Sequence, residues 1–431
     1  MFWILYNVLF TFGYILMLPY FIFRMIRRGG YLKGFLQRFC VFSDPEKLRI
    51  RARPRIWVHA VSVGEVQIAL RFMDEFRVKE PKAAFLLTTT TSTGHGIAGK
   101  RLNADDVLAY FPVDFPVVIK KALTLFKPRA LVLIEGELWP NLIRIAAAND
   151  IPVFLVNGRV SEKSERRYRM VRVFFKNAIN RMTLVCVQTP TDERRLLSLG
   201  ARPDLVRVTG SAKYDVARAD DTGVPAVAAV LNTLGVGRDD LLIVGGSTWP
   251  GEEAILADVF KSLRGRIANV RLVIVPRHAE RARSAAAEIS GRGLCVSFRS
   301  DVDKPGHERG DVIVVDTTGE LMSFYSRASV VFVGKSLAAH GGQNIIEPAI
   351  LGKPIVVGPN MQNFPGIMRD FLDADAVVQV DDAAGLKIAI EKLLSDPALR
   401  QKYGVRAAAV VQSKKGSLRS TVELVAGAMK A

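Results

Sequence analysis

The chain of 431 residues is too long for one ordinary core and suits two α/β domains of about 200 residues each. A charged share of 24% and a hydrophobic share of 49% are globular usage, which excludes extended disorder. The net charge of +18 asks for an anionic partner, and without an RNA-binding module carrying interleaved aromatics that partner is a phosphorylated lipid or an anionic membrane surface, with no nucleic acid.

Most of the surplus sits in two stretches. Residues 24–55 hold ten basic side chains against Asp44 and Glu46, and residues 159–181 hold eight against Glu162 and Glu165. Cys40, Cys186 and Cys295 lie far apart without a C-x-x-C pair, so a reducing compartment and no disulfide framework follow. The five histidines show no ligand spacing, so neither a metal nor a cofactor is expected.

In chain order, residues 1–23 carry no side-chain charge and are long enough to enter or cross ~30 Å of hydrocarbon. The basic residues follow this apolar run, and no small-residue cleavage site closes it, which makes residues 1–30 an uncleaved membrane anchor with the rest of the chain held in the cytoplasm. Pro19, Asn7 and Thr11 weaken a straight span, so a helix lying in the interface or docked on the protein stands as the alternative.

Short apolar runs then alternate with helical-period segments, the pattern of parallel sheets covered on both faces. Strands are expected at 55–60, 84–88, 130–135, 152–157, 184–188 and 206–210, and again at 241–245, 271–276, 311–316, 329–334, 353–358 and 376–380. A strand-free stretch with Asp220, Asp221, Gly223 and Pro225 marks 211–237 as a linker. This divides the chain into an N-terminal domain (31–210) and a C-terminal domain (238–431), whose last helix is free to pack back on the N-terminal one. Both are doubly wound, with ligands expected in a cleft at the carboxyl ends of the strands.

Five segments carry chemistry. Glu65 sits where a glycine-bearing turn meets a helix start, either as a carboxylate complementing the helix dipole or as a general base. Glu135 and Glu137 flank Gly136 beside Trp139 at a strand end, as solvated acids or as groups that orient a sugar or acceptor hydroxyl. Gly245-Gly246-Ser247-Thr248 reads as a loop whose amides cradle a phosphate. Arg277, followed by His278, is a surface arginine or a phosphate or carboxylate clamp. In the segment from His340 to Ala349, Gly341-Gly342 lets backbone approach a ligand, a helix starting near Asn344 offers amides, and Glu347 takes ribose hydroxyls, which together suit a nucleotide-sugar.

In this order the motifs resemble those of the bacterial Kdo (3-deoxy-D-manno-octulosonic acid) transferases. The similarity runs through His59-Ala60-Val61-Ser62-Val63-Gly64-Glu65, Glu135–Asn141, Asn157-Gly158-Arg159, Gly245–Thr248, Pro276-Arg277-His278 with Glu280-Arg281, Gly319-Glu320-Leu321, and Gly341–Asn344 with Glu347-Pro348. It implies a GT-B fold, a CMP-Kdo donor in the C-terminal domain, a lipid A precursor acceptor against the N-terminal domain, and inversion at the anomeric carbon. It also implies Glu65 as the base, Glu135, Glu137 and Arg159 as residues orienting acceptor or sugar, and Gly246, Ser247, Thr248, Arg277, His278, Gly341, Gly342, Asn344 and Glu347 as donor contacts. His340 and Gln343 depart from the family's pattern. The rivals are a GT-B transferase of a UDP-sugar with a polyprenyl acceptor, a sugar-nucleotide isomerase, which needs no anchor, and a membrane adaptor, which needs no converging polar residues.

Overall fold

Runs of β-branched and aromatic residues with every position buried, such as Ile-Trp-Val-His-Ala at 56–60, form the central strands of parallel sheets, because both faces of such a sheet are covered by helices. The computed structural model describes residues 2–28, 34–217, 223–267, 269–303 and 309–430. Lys33, Asp220, Asp221 and His307 lie outside the described residues, as do the side chains of Arg24, Arg27 and Arg28.

The chain forms two units, residues 1–216 with 416–431 and residues 217–415. In the first, β1 (Ile56–Ala60), β2 (Phe85–Thr89), β3 (Val107–Tyr110), β4 (Ala130–Ile134), β5 (Val153–Gly158), β6 (Leu184–Val187) and β7 (Val206–Val208) make one parallel sheet ordered β3-β2-β1-β4-β5-β6-β7. Trp57, Leu133, Phe126 and Phe175 pack one face, and Val58, Phe72, Phe76 and Val422 pack the other. Val422 belongs to the last helix, Ser417–Ala428, whose first amides, those of Gly416 and Leu418, donate to the Asp215 carboxylate at 2.6 and 3.0 Å. The second unit repeats the plan with β8 (Leu241–Thr248), β9 (Val270–Pro276), β10 (Val296–Phe298), β11 (Val312–Val314), β12 (Val330–Val333), β13 (Ile355–Val357) and β14 (Val378–Gln379), ordered β10-β11-β9-β8-β12-β13-β14.

All twelve expected strands form, with ends shifted by a few residues, and the sheets gain two edge strands, β3 and β10. Two short edge strands need little apolar sequence, since only part of each lies in a core. The stretch read as a linker is partly helical, with helices Lys213–Val216 and Val224–Thr233.

The strand order switches direction between β1 and β4 in the first sheet and between β8 and β12 in the second, so the connections leaving those neighbours diverge and open a crevice at their carboxyl ends. Glu65 follows β1 and Glu135 follows β4.

The helix Phe2–Arg28 contains Trp3–Tyr20, long and apolar enough to cross a membrane. Its two faces differ. Trp3, Tyr6, Asn7, Phe10 and Tyr14 recur at helical spacing on the side that meets the first unit. The Tyr6 hydroxyl donates to Asp114 (2.9 Å), Asn141 Nδ2 donates to Asn7 (2.7 Å), the Phe10 and Tyr14 rings meet Phe115 edge-on, and the Arg144 guanidinium lies over Trp3. Ile4, Leu5, Val8, Leu9, Phe12, Ile15 and Leu16 face outward and are exposed. The arginine-rich segment after β5 is two helices, Glu162–Met170 and Arg172–Ile179, broken at Val171. Phe175, Ala178 and Ile179 enter the core, while Met170, Val171 and Val173 stay exposed.

Candidate functional site

Ser62 caps the helix Val63–Lys79, and Glu65 is its third residue. The pair forms a reciprocal cap: Ser62 Oγ accepts the Glu65 amide (3.3 Å) and donates to Glu65 Oε1 (2.8 Å), while the Val61 amide donates to Oε2 (2.9 Å). The dipole-complementing role is therefore real, but the setting is not that of a solvated cap. Glu65 is 9% exposed, and burial, helped by Glu135, pushes its carboxyl above the usual range against the pull of the hydrogen bonds it accepts from Val61 and Ser62.

Glu135 occupies left-handed backbone (φ 61°), a conformation that costs a non-glycine residue on the order of 1 kcal/mol or more and re-aims its side chain at the strand end. Asn157, also left-handed at the end of β5, donates to Glu135 Oε1 (3.2 Å). Glu137 Oε2 accepts Trp139 Nε1 (2.9 Å); burial first, then the charges of Glu65 and Glu135, push its carboxyl up to about 7. One cation answers these acids. Lys213, from the short helix after β7, acts on Glu135 and Glu65, and Arg159 acts on Lys213; burial pulls the Lys213 ammonium below its ordinary value. The loop itself is anchored by Asp114, fully buried, which accepts the Asn141 and Leu142 amides (3.0 and 2.8 Å) and so caps the helix Pro140–Ala147 directly after Trp139. Among the described residues, no three His, Cys, Asp or Glu side chains are arranged to hold a metal.

In the second unit the structure corrects several sequence readings. Gly245–Thr248 is not a loop but the buried end of β8, and a Cβ on Gly246 would fall 2.0 Å from the Tyr325 hydroxyl, so that glycine makes room for Tyr325 and not for a phosphate. Thr248 is fully buried and donates to Glu253 (3.0 Å), to which Arg281 also donates (3.0 Å). Ser247, left-handed and buried, carries the turn out of the strand. Gly341 and Gly342 admit Asn363 Nδ2 and Met361 Sδ, which would lie 2.5 and 2.4 Å from added Cβ atoms, and their amides donate within the protein, to Gln362 Oε1 and Asn360 and to Lys335. The helix expected near Asn344 is only Ile346–Ile350, too short for a strong terminal dipole, and Asn344, just ahead of its N-cap Ile345, accepts the Ile346 amide (3.2 Å).

The amides that the sequence suggested for a ligand are instead gathered on a residue of the chain. Glu252, fully buried, accepts from Ser336 and Leu337 on Oε1 (2.9 and 3.0 Å) and from Trp249 and Lys335 on Oε2 (2.9 and 2.8 Å), locking the turn after β12 to the turn after β8. Beside this lock lies a cationic and aromatic strip. Lys335 Nζ stands 4.4 Å from the Trp249 ring centroid, His278 meets the same ring edge-on, Arg277 and His278 are exposed, and Trp249 Nε1 is buried without a partner. Burial pushes Glu347 upward, while Asn344, donating at 3.1 Å, and the Arg277 charge draw it down. His340 is exposed and Gln343 half-buried.

The three acids singled out in the sequence come together after β1 and β4. Sequence reasoning missed Lys213, Glu252, Trp249 and Lys335, whose contacts span long sequence separations.

Residues 33–216 match the family described as 3-deoxy-D-manno-octulosonic-acid transferase, and residues 309–410 match glycosyl transferases group 1. The chain is 33% identical to a 3-deoxy-D-manno-octulosonic acid transferase of Bordetella pertussis, over 85% of this chain and 86% of that one. It is 31% identical to the protein of the same description from Haemophilus influenzae, over 86% of each. An Anabaena protein solved in complex with UDP shares the fold, with a TM-score of 0.60 at 12% identity over 87% of this chain and all of that one. The fold is of the GT-B type, and the chain is a glycosyltransferase that belongs to the 3-deoxy-D-manno-octulosonic acid transferase family.

Proposed function

We propose that the chain moves Kdo from CMP-Kdo to a lipid A precursor with inversion, Glu65 acting as the base. The observation that carries this is the acid cluster at the β1/β4 reversal, where burial and Glu135 raise the basicity of a carboxylate held by Val61 and Ser62. Glu65 takes the proton of an acceptor hydroxyl as its oxygen attacks the anomeric carbon, and the bond to the CMP phosphate breaks with its electron pair on the phosphate oxygen. Arg277, with Lys335 nearby in the same unit, neutralises the charge that develops on that phosphate, so the reaction needs no metal or cofactor. Trp249, His278, Asn344 and Glu347 complete the donor side, and Lys213 balances the acids on the acceptor side.

The acceptor is lipid-borne, and the first unit carries two surfaces suited to it. The N-terminal helix lies along that unit with its apolar stripe outward, which favours immersion in one leaflet over a straight span. Met170, Val171 and Val173 break the surface among Arg166, Arg167, Arg169 and Arg172, a mixture that suits headgroup phosphates above acyl chains. These features support the reading of a protein held at the cytoplasmic face of the inner membrane. Mass spectrometry of a tetra-acylated lipid A precursor incubated with the enzyme and CMP-Kdo is the test. The parent adds Kdo, and Glu65→Gln loses roughly 10²–10⁴ in rate with CMP binding intact. Near-normal turnover by Glu65→Gln refutes the base, and transfer from a UDP-sugar in place of CMP-Kdo refutes the donor.

A further inference from the structure

His59, the fourth residue of β1, is fully buried, its ring stacked on Phe111 with centroids 3.7 Å apart. Its Nδ1 lies 3.1 Å from both the carbonyl oxygen and the hydroxyl oxygen of Thr88. A carbonyl only accepts, and the Thr88 hydroxyl already receives Trp57 Nε1 (2.9 Å) while its own proton turns toward Val58 O (3.4 Å). Nδ1 therefore carries the hydrogen, which leaves Nε2 as a bare lone pair. That atom is buried without a hydrogen-bond partner and faces Glu137 Oε2 at 3.9 Å.

Two lone pairs meeting in a place shielded from water repel unless a proton lies between them. The imidazole is a poor host for it: burial, and secondarily the Arg38 charge, hold the ring near pKa 3. The carboxyl is a good one, for burial first, then Glu65 from the β1 side and Glu135 from its own loop, disfavour its ionised form. Lys213 exerts its charge on the Glu135 and Glu65 side of the cluster.

We infer that Glu137 works as a neutral carboxylic acid whose proton points at His59 Nε2, and that this pair positions the site by leaving Glu65 its ionised member. Rotation of the Glu137 carboxyl closes the gap to hydrogen-bond length. At 22% side-chain exposure it still presents its other oxygen to a sugar hydroxyl, now as an uncharged acceptor that does not compete with Glu65 for the proton. The inference rests on the proposed role of Glu65, from which it differs in its signature.

An ionised base and a neutral positioning acid respond oppositely to amidation. We would measure kcat/KM from pH 6 to 9 with detergent-dispersed acceptor for the parent, Glu137→Gln, Glu137→Ala and Glu65→Gln. The parent should lose activity as pH rises through about 7, where Glu137 ionises beside Glu65. Glu137→Gln, whose amide keeps a donor toward Nε2 and an acceptor toward the ligand but gives up the hydrogen bond from Trp139 Nε1, should lose less than Glu137→Ala at pH 6 and stay level through that range. Glu137→Ala should lose about tenfold or more at every pH, the cost of a stranded buried acceptor and a lost contact. If Glu137→Gln is as inactive as Glu65→Gln, or falls above pH 7 as the parent does, the neutral-acid role is refuted. An active Glu65→Gln refutes the base alone, because the Glu137→Gln profile is compared with the parent's. Nitrogen-15 shifts of His59 at pH 6 give a readout independent of turnover: hydrogen on Nδ1 alone is expected, and a doubly protonated ring overturns the pair.

Discussion

Glu252→Gln should destabilise the second unit more than any conservative surface change, because it strikes four hydrogen bonds at once. In the parent each carboxylate oxygen accepts two backbone amides, from Ser336 and Leu337 on one side and from Trp249 and Lys335 on the other. An amide turned either way must aim its NH2 at one of those pairs, leaving two buried N–H groups facing a donor. Hydrogen bonds to charged groups contribute roughly 1.5–3 kcal/mol each, so the loss of two amounts to about 3–6 kcal/mol. For a unit of residues 217–415 each kcal/mol lowers the midpoint by about 2–4 °C, which makes a fall of about 6–24 °C. Scanning calorimetry of the parent and variant reads the midpoint, and CMP titration reads whether Lys335 and Trp249 have lost their setting. A variant within about 1 kcal/mol of the parent would show that the turns after β8 and β12 are held by something other than this carboxylate.

The remaining expectations concern charge and the membrane. Glu137 carries its folded pKa of about 7 above the ordinary 4.5, so the folded state is penalised progressively as pH climbs from 4.5 through 7, by about 3 kcal/mol at pH 8 if no neighbour relaxes. Glu137→Gln removes that penalty and should unfold later than the parent at pH 8 but not at pH 4.5, in paired thermal melts. Changing Arg166, Arg169 and Arg172 together to Gln should raise the Michaelis constant for lipid acceptor and weaken binding to anionic vesicles, with donor affinity unchanged. Two of these arginines already pair with Glu162 and Glu165, exposed contacts with little stability to lose, so the melting temperature should barely move. Tyr6→Phe removes the donor that ties the N-terminal helix to buried Asp114, at a cost of about 1–3 kcal/mol in docking. Limited proteolysis should then release that helix faster while the first unit stays folded.

Much of the fold was legible because parallel strands buried on both faces announce themselves as apolar runs, whatever they pair with. The two strands that escaped are edges: Val107–Tyr110 follows Asp105-Asp106, and Val296-Ser297-Phe298 is three residues long. Glu65, Glu135 and Glu137 were legible because acids directly after central strands stand at carboxyl ends. Gly246, Gly341 and Gly342 misled for a physical reason. A missing Cβ says that something comes close, and it is silent on whether that is a ligand or Tyr325, Asn363 and Met361 of the same chain. Glu252 was invisible because three of its four partners lie more than 80 residues away. Lys213 was hidden in a stretch read as linker.

The two sheets present the same reversal and use it differently. At β1 and β4 the crevice is lined by carboxylates close enough to raise one another, and their burial is only partly offset by Lys213, so the first unit stores unfavourable like charge where an acceptor proton must go. At β8 and β12 the backbone amides that would greet an anion are already satisfied by Glu252, so the second unit has exchanged a ready-made phosphate nest for a rigid frame. In the proposed reaction an anionic donor is held there by side chains the frame positions, Arg277, Lys335 and Trp249. The division follows from what each half of the reaction requires. Proton abstraction needs a strained, basic carboxylate, whereas departure of a phosphate needs fixed cations whose geometry does not change as charge develops. Glu252 provides that fixity because an internal carboxylate cannot diffuse away with the product.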